Sequence, residues 1–199
     1  MVSQAKQQPR YTPEEYLTLE REASFRSEYL AGEITAMAGA SLQHNRITSN
    51  IGALLNVQLT ERPCDSFTSD MRVKVEAPQI YYTYPDAVAL CGEPQFDDAH
   101  QDCLINPMLI VEVLSPSTQR YDQQEKFGYY RKIASLMDYV LVAQDRVCVE
   151  HYSRQGAFQW LLTEYNSLED TITLSSIACK FLLADIYKKV EFPLESPEG

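Results

Sequence analysis

The sequence predicts a mixed α+β (α/β) chain: a mixed central sheet flanked by helices, with an N-terminal helix and hairpin and a C-terminal β-meander. Three observations carry this expectation. Met108 to Leu114 is an apolar run with the length and β-branched content of a strand buried on both faces. Asp138 to Ala143 is another, and the helical pattern between them makes the pair parallel with a right-handed crossover. After Ser41, the residues Ile47, Ile51, Leu54, Leu55 and Leu59 recur on one face of a long helix. The 199 residues read as a single domain, with 1–10 and 192–199 expected to be flexible.

The first helix is expected from Tyr11 to Glu22, because Thr12-Pro13-Glu14-Glu15 combines a cap, a first-position Pro and first-turn acids. Ser27 to Leu30 and Glu33 to Met37 alternate around Ala31-Gly32, the pattern of a hairpin. The long helix begins at a Ser41 cap, carries His44 in its first turn and closes at Arg62-Pro63. Strands are expected at Asp65–Thr68, Met71–Glu76 and Ile80–Leu90, with Pro85-Asp86 permitted only at a strand start or irregularity. Gly92 to Asn106 reads as an exposed acidic loop. Ser115-Pro116-Ser117-Thr118 is a turn, followed by a helix starting at Asp122, where Asp122 and Glu125 form a capping-box pattern. Phe127, Tyr130, Ile133 and Ala134 give that helix its apolar face. Val147–Tyr152, Gly156–Thr163 and Thr171–Leu174 form the meander, and Phe181 to Lys188 a closing helix.

Composition narrows the class. A net charge of −11 counts against a non-specific nucleic-acid binder. It leaves room for a metal-dependent nuclease, whose acids cluster at the site while Arg62, Arg72, Lys74, Arg120, Lys126, Arg131 and Lys132 supply local positive charge. Five scattered cysteines without a C-x-x-C read as small buried residues rather than a disulfide framework or zinc site. No apolar run approaches the ~20 residues of a membrane span, and MVSQAKQQPR has no signal core, so a cytoplasmic protein is expected.

One residue breaks the central run. Glu112 lies among Leu109, Ile110, Val111, Val113 and Leu114, where an unpaired charge costs several kcal/mol or forces protonation. The strand ends early, an Arg pairs with it, or Glu112 binds a metal. Asp86 begins another apolar strand, and neighbouring strands lie about 5 Å apart. Two carboxylates that close repel unless a cation lies between them. Hard oxygen ligands without His or Cys suit Mg²⁺ or Mn²⁺, and Lys126 from the next helix adds a charge for a phosphoryl transition state. The bland readings are a Pro-Asp turn and a solvated Lys126.

Taken together, Pro85-Asp86, Glu112-Val113-Leu114 and Lys126 resemble the PD-(D/E)XK nuclease superfamily, with Leu114 standing where that superfamily usually has Lys. The Glu-Val-Leu-Ser-Pro-Ser-Thr turn and the Asp122…Lys126…Tyr130 helix are similar to the Uma-type family of bacterial restriction-endonuclease-like proteins. The resemblance runs from Thr12-Pro13-Glu14-Glu15-Tyr16 through Gly32-Glu33, His44, Ser69-Asp70 and Pro85-Asp86 to about Val142. It implies a restriction-endonuclease-like αβββαβ core and hydrolysis of DNA phosphodiester bonds by a metal-activated water. Asp86 and Glu112 are the implied metal ligands, the Val113 carbonyl a third, and Lys126 the catalytic amine. His44 would orient water or contact a phosphate, or else act structurally; Glu33 and Asp70 are weaker candidates. Asp122 is expected as a helix cap, Tyr130 as packing beside the site, and Ser115 and Ser117 as turn residues. DNA is the implied partner and, by analogy alone, a homodimer. The rival readings are a catalytically inactive binding or interaction module on the same fold, and a hydrolase of another phosphate ester.

Overall fold

The computed structural model describes residues 10–76, 78–115 and 119–192; Pro116, Ser117 and Thr118 of the expected turn lie outside them, as do 1–9 and 193–199. Helix α1 (Pro13–Glu22) opens as its sequence dictates. Thr12 Oγ1 accepts from Glu15 N at 3.2 Å, and the Glu15 carboxylate accepts from Thr12 N at 2.8 Å. Strands β1 (Ser27–Leu30) and β2 (Glu33–Ala36) form the hairpin. Ala31 (φ 51°) and Gly32 (φ 98°) both occupy the left-handed region that its tight turn demands. Ser41 caps α2 (Leu42–Leu59), whose buried stripe is Ile47, Ile51, Leu55 and Leu59. Gly52 lets this helix approach β3 (Cys64–Thr68) closely, since a Cβ there would come 2.9 Å from Thr68 Cγ2.

Two larger sheets follow. Strands β4 (Arg72–Val75), β5 (Tyr81–Thr83) and β7 (Cys103–Leu104) extend the hairpin into a five-stranded sheet ordered β2-β1-β5-β4-β7. The six-stranded sheet is ordered β11-β10-β9-β8-β6-β3. Its members β6 (Ala87–Cys91), β8 (Leu109–Leu114) and β9 (Asp138–Ala143) are almost wholly buried. β8 and β9 are parallel, Leu109 with Asp138 through Leu114 with Ala143, and a helix crosses between them. That helix is continuous through α3 (Gln119–Tyr121), a π-helical segment (Asp122–Lys126) and α4 (Phe127–Tyr130). The elements α2, β3, β6, β8, crossover helix and β9 supply the αβββαβ order.

Strand alternation splits the core. One face of the six-stranded sheet (Val111, Val113, Val140, Val142) packs on α2, on the hairpin β12 (Thr171–Leu174) and β13 (Cys179–Leu182), and on α5 (Leu183–Ile186). The other face (Ile110, Leu114, Tyr139, Leu141) packs on Val73, Val75 and Tyr81 of the five-stranded sheet and on Tyr130. Glu112 belongs by parity to this second face.

Several expectations need correction. The Ile80–Leu90 strand is two strands in different sheets, because the donorless Pro85 ends one before Asp86 enters the other. The Gly92–Asn106 loop contains β7, whose Cys103 and Leu104 are buried beside β4. The crossover helix ends at Tyr130, short of Ile133 and Ala134. The meander is broken: β10 (Val149–Arg154) and β11 (Trp160–Tyr165) pair within the large sheet, whereas β12 pairs with β13. Phe181 and Leu182 are strand rather than helix. Cys64 and Cys91 face each other across β3 and β6 and are disulfide-bonded; Cys103, Cys148 and Cys179 are free and buried. Among the described residues no helix is long and apolar enough to cross a membrane.

The α2 stripe gives a direct packing test. Leu55→Ala, at a fully buried position, should cost about 2–5 kcal/mol in denaturant unfolding. Val57→Ala on the exposed face should stay within about 0.5 kcal/mol.

Candidate active site

The site forms where the chain crosses between sheets. Pro85 turns the backbone out of β5, and Asp86 arrives immediately ahead of β6. β6 runs antiparallel to β8, with Ala87 opposite Val111 and Val88 opposite Ile110. One further step along that register faces Asp86 with Glu112, a position at which opposed Cβ atoms lie about 5 Å apart. Val113 N donates to Asp86 Oδ2 at 2.7 Å, so a side chain completes the ladder there. His44 Nε2 lies 3.2 Å from the same oxygen. It arrives from the first turn of α2, whose Ser41 cap accepts from His44 N at 3.1 Å. Both described partners of Asp86 therefore fall on Oδ2, and Oδ1 has none among the described residues.

Glu112 shows the same asymmetry. It is 5% exposed, and its Oε1 accepts from Tyr130 Oη at 2.7 Å and Lys126 Nζ at 3.3 Å. Oε2 has no partner among the described residues. Lys126 comes from the π-helical segment, a wound form common at functional sites. Its ammonium touches three carboxylates: Glu28 Oε1 at 3.1 Å, Glu112 Oε1 at 3.3 Å and Asp122 Oδ1 at 3.4 Å. Thr83 Oγ1 donates to Glu28 Oε1 at 2.6 Å and lies 3.3 Å from Tyr130 Oη. Tyr139 Oη donates to the Asp122 carbonyl at 3.1 Å, tying the π segment to β9.

The charges do not balance. Burial pushes Glu112 up to about 8, against the attraction of Lys126, and the neighbouring charges of Asp122 and Asp86 push the same way. Burial alone would lower Lys126, yet Glu112, Tyr130, Tyr81 and Glu28 hold it well above its ordinary value. The two directions are compatible. One ammonium shared among three carboxylates stays charged, while the most buried carboxylate stays under-compensated. The cluster has room for a proton or another cation.

Glu112, Lys126, Tyr130 and Asp86 with His44 thus converge from β8, the crossover helix, the β6 entrance and α2. Asp122 corrects the cap expectation. The helix begins upstream at Gln119, and Asp122 is buried within it as a partner of Lys126. The D-x-x-E spacing fits a cap, but the chain is already helical there. Leu114 packs in the core rather than supplying an amine. Asp70 is exposed and pairs with Arg26 at 3.0 Å, and Glu33 is exposed on β2. Three of the basic residues are engaged within the fold: Arg72 is buried against the Tyr16 and Tyr84 rings, Lys74 pairs with Asp97 and Glu76, and Arg62 donates to the carbonyls of Ile177 and Ala178. Glu28 escaped the sequence reading, because an acid alternating with Tyr29 in a hairpin reads as solvent-facing.

Known proteins resemble this chain in sequence and in fold. The family model described as "Uma2: Putative restriction endonuclease" matches residues 13–184. The uncharacterized protein sll1609 of Synechocystis sp. is 44% identical over 77% of this chain and 86% of its own length. The uncharacterized protein slr1290 of the same organism is 34% identical over 92% of this chain and 95% of its own. A crystal structure described as a putative nuclease belonging to DUF820, from Anabaena variabilis, shares the fold, with a TM-score of 0.73 at 20% identity over 89% of this chain and 97% of that one. The chain belongs to the Uma2 family.

The raised Glu112 carboxyl has a signature in solution. Its folded value of about 8 exceeds its ordinary 4.5, so the folded state binds the extra proton and the contribution to stability is full at the acid end. In metal-free buffer that contribution is lost as pH rises from about 5 to about 8. Unfolding free energies of wild type and Glu112→Gln measured across this window should diverge, the wild type falling relative to the variant. Parallel curves would remove the raised carboxyl.

Proposed function

We propose that this Uma2-family protein is a Mg²⁺- or Mn²⁺-dependent endonuclease that hydrolyses DNA phosphodiester bonds. One observation carries the reading. Asp86 and Glu112 face each other across β6 and β8, each tied to the protein through one oxygen, with the other unclaimed among the described residues. One ammonium serves three carboxylates in their cluster, and burial, with the charges of Asp122 and Asp86, pushes the Glu112 carboxyl up.

The donor set fits a hard divalent cation. Mg²⁺ takes one or two carboxylates and keeps several waters, so it needs no all-protein cage. Among the described residues no group of three or more His, Cys, Asp or Glu forms such a cage. Asp86 and Glu112 would hold the ion, with the Val113 carbonyl as a third ligand. A bound divalent ion supplies an acidified water and a polarised phosphate.

The chain's own residues do the rest. His44 and Val113 N fix the Asp86 carboxylate from two sides, and Tyr130 does the same for Glu112. Lys126 would face the negative charge that builds on the phosphoryl oxygens as water adds and an ester P–O bond breaks. Leu114 is buried in the core, and the amine comes from the crossover helix instead.

A catalytically inactive binding module on the same fold draws on the net charge of −11, which repels DNA. Plasmid nicking with Mg²⁺ or Mn²⁺ separates the two. Wild type should nick, and Asp86→Ala, Glu112→Ala and Lys126→Ala should each lose about 100-fold or more in rate. Variants that nick like wild type would sink the site; a wild type that cleaves nothing would favour the module.

A further inference from the structure

We infer that Glu28 is the counter-ion that positions Lys126, a carboxylate lent to the candidate site by the hairpin of the other sheet. The inference builds on the nuclease reading of Glu112 and Lys126. Lys126 offers three N–H donors, and three carboxylates surround it. The three are not equivalent. Glu112 comes from β8 and is the one a cation would share. Asp122 sits four residues earlier on the same helix, so its contact is internal to that helix. Glu28 alone comes from outside the β8–helix unit, and its contact, at 3.1 Å, is the shortest.

The hairpin is built to hold it there. β1 pairs with β5 as Tyr29 with Tyr82 and Leu30 with Tyr81, and one more step sets Glu28 opposite Thr83. Thr83 is fully buried, and its hydroxyl donates to Glu28 Oε1 at 2.6 Å. The same hydroxyl lies 3.3 Å from Tyr130 Oη, which donates to Glu112. Glu28 and Glu112 are therefore joined through Lys126, while Thr83 and Tyr130, in contact at 3.3 Å, each donate to one of the two carboxylates. When Glu112 turns toward a cation, Glu28 keeps the ammonium aimed. Glu28 is a positioning residue; it needs no contact with the cation or the phosphate.

The test uses full-length protein carrying Glu28→Gln, which keeps shape and removes charge, and Thr83→Val, which removes the hydroxyl that fixes Glu28. Three quantities are read. In plasmid nicking, kcat of Glu28→Gln should fall about 10-fold or more, as a misaimed group does. KM for plasmid and the Mg²⁺ concentration for half-maximal rate should stay within about twofold, since cation and phosphate contacts remain. Lys126 acetylation by acetic anhydride, read by mass spectrometry against exposed Lys180, should rise about fivefold as the amine is released. Thr83→Val should move kcat and acetylation the same way by less. Unchanged Lys126 acetylation in Glu28→Gln overturns the inference. So does a large rise in the Mg²⁺ requirement, which would make Glu28 a cation ligand. If wild type cleaves nothing while acetylation rises, Glu28 stands as the anchor of Lys126 and the nuclease reading falls instead.

Discussion

The structure depends on a carboxylate buried in the middle of its central strand. An isolated ionised side chain at such a position costs several kcal/mol even after relaxation. Around Glu112, the crossover helix and two strands are arranged to offset that cost. The crossover helix winds as a π segment and presents Lys126, α4 presents Tyr130, β5 presents Thr83, and β1 sends Glu28 across from the other sheet. The compensation stays incomplete, because the same lysine serves three acids and Asp86 adds a further negative charge from the adjacent strand. A fold selected only for stability has little use for this arrangement, since well-packed apolar residues would serve as well.

The sheet order explains why the imbalance is focused at one place. β3, β6 and β8 run antiparallel and β8 and β9 parallel, so the end of β8 lies beside the start of β6. α2 covers one face of that corner and the crossover helix the other. His44 and Lys126 thus reach the two carboxylates from opposite sides of one sheet. The tyrosine-rich contacts around it, Tyr81 with Tyr129 and Tyr130, and Tyr130 with Tyr139, pack the approach with rings that also carry hydroxyls. A single type of side chain therefore supplies both packing and hydrogen-bond donors to the cluster.

Much of this was legible in the sequence. Glu112 announces itself by breaking an apolar run, Pro85 marks the crossing between strands, and the two caps, Thr12 and Ser41, form as their patterns demand. What sequence could not give was pairing at a distance. Glu28 and Thr83 are neighbours only because β1 and β5 pair, and a hairpin acid looks identical whether it meets water or an ammonium. Asp122 was misread because D-x-x-E fits a cap equally well inside a helix that has already begun. Cys64 and Cys91 look unrelated until β3 and β6 align them. In each case the local pattern is degenerate: strand pairing decides for Glu28 and the two cysteines, and the upstream start of the helix decides for Asp122.

The central claim is that Asp86 and Glu112 share one cation. The most direct measurement is Mn²⁺ binding followed by electron paramagnetic resonance of the free ion, for wild type, Asp86→Asn and Glu112→Gln. The account predicts one site in the wild type and a loss of affinity of about 10-fold or more in each variant, since even outer-shell changes reach that size. Binding that survives both substitutions, or is absent from the wild type, would contradict it.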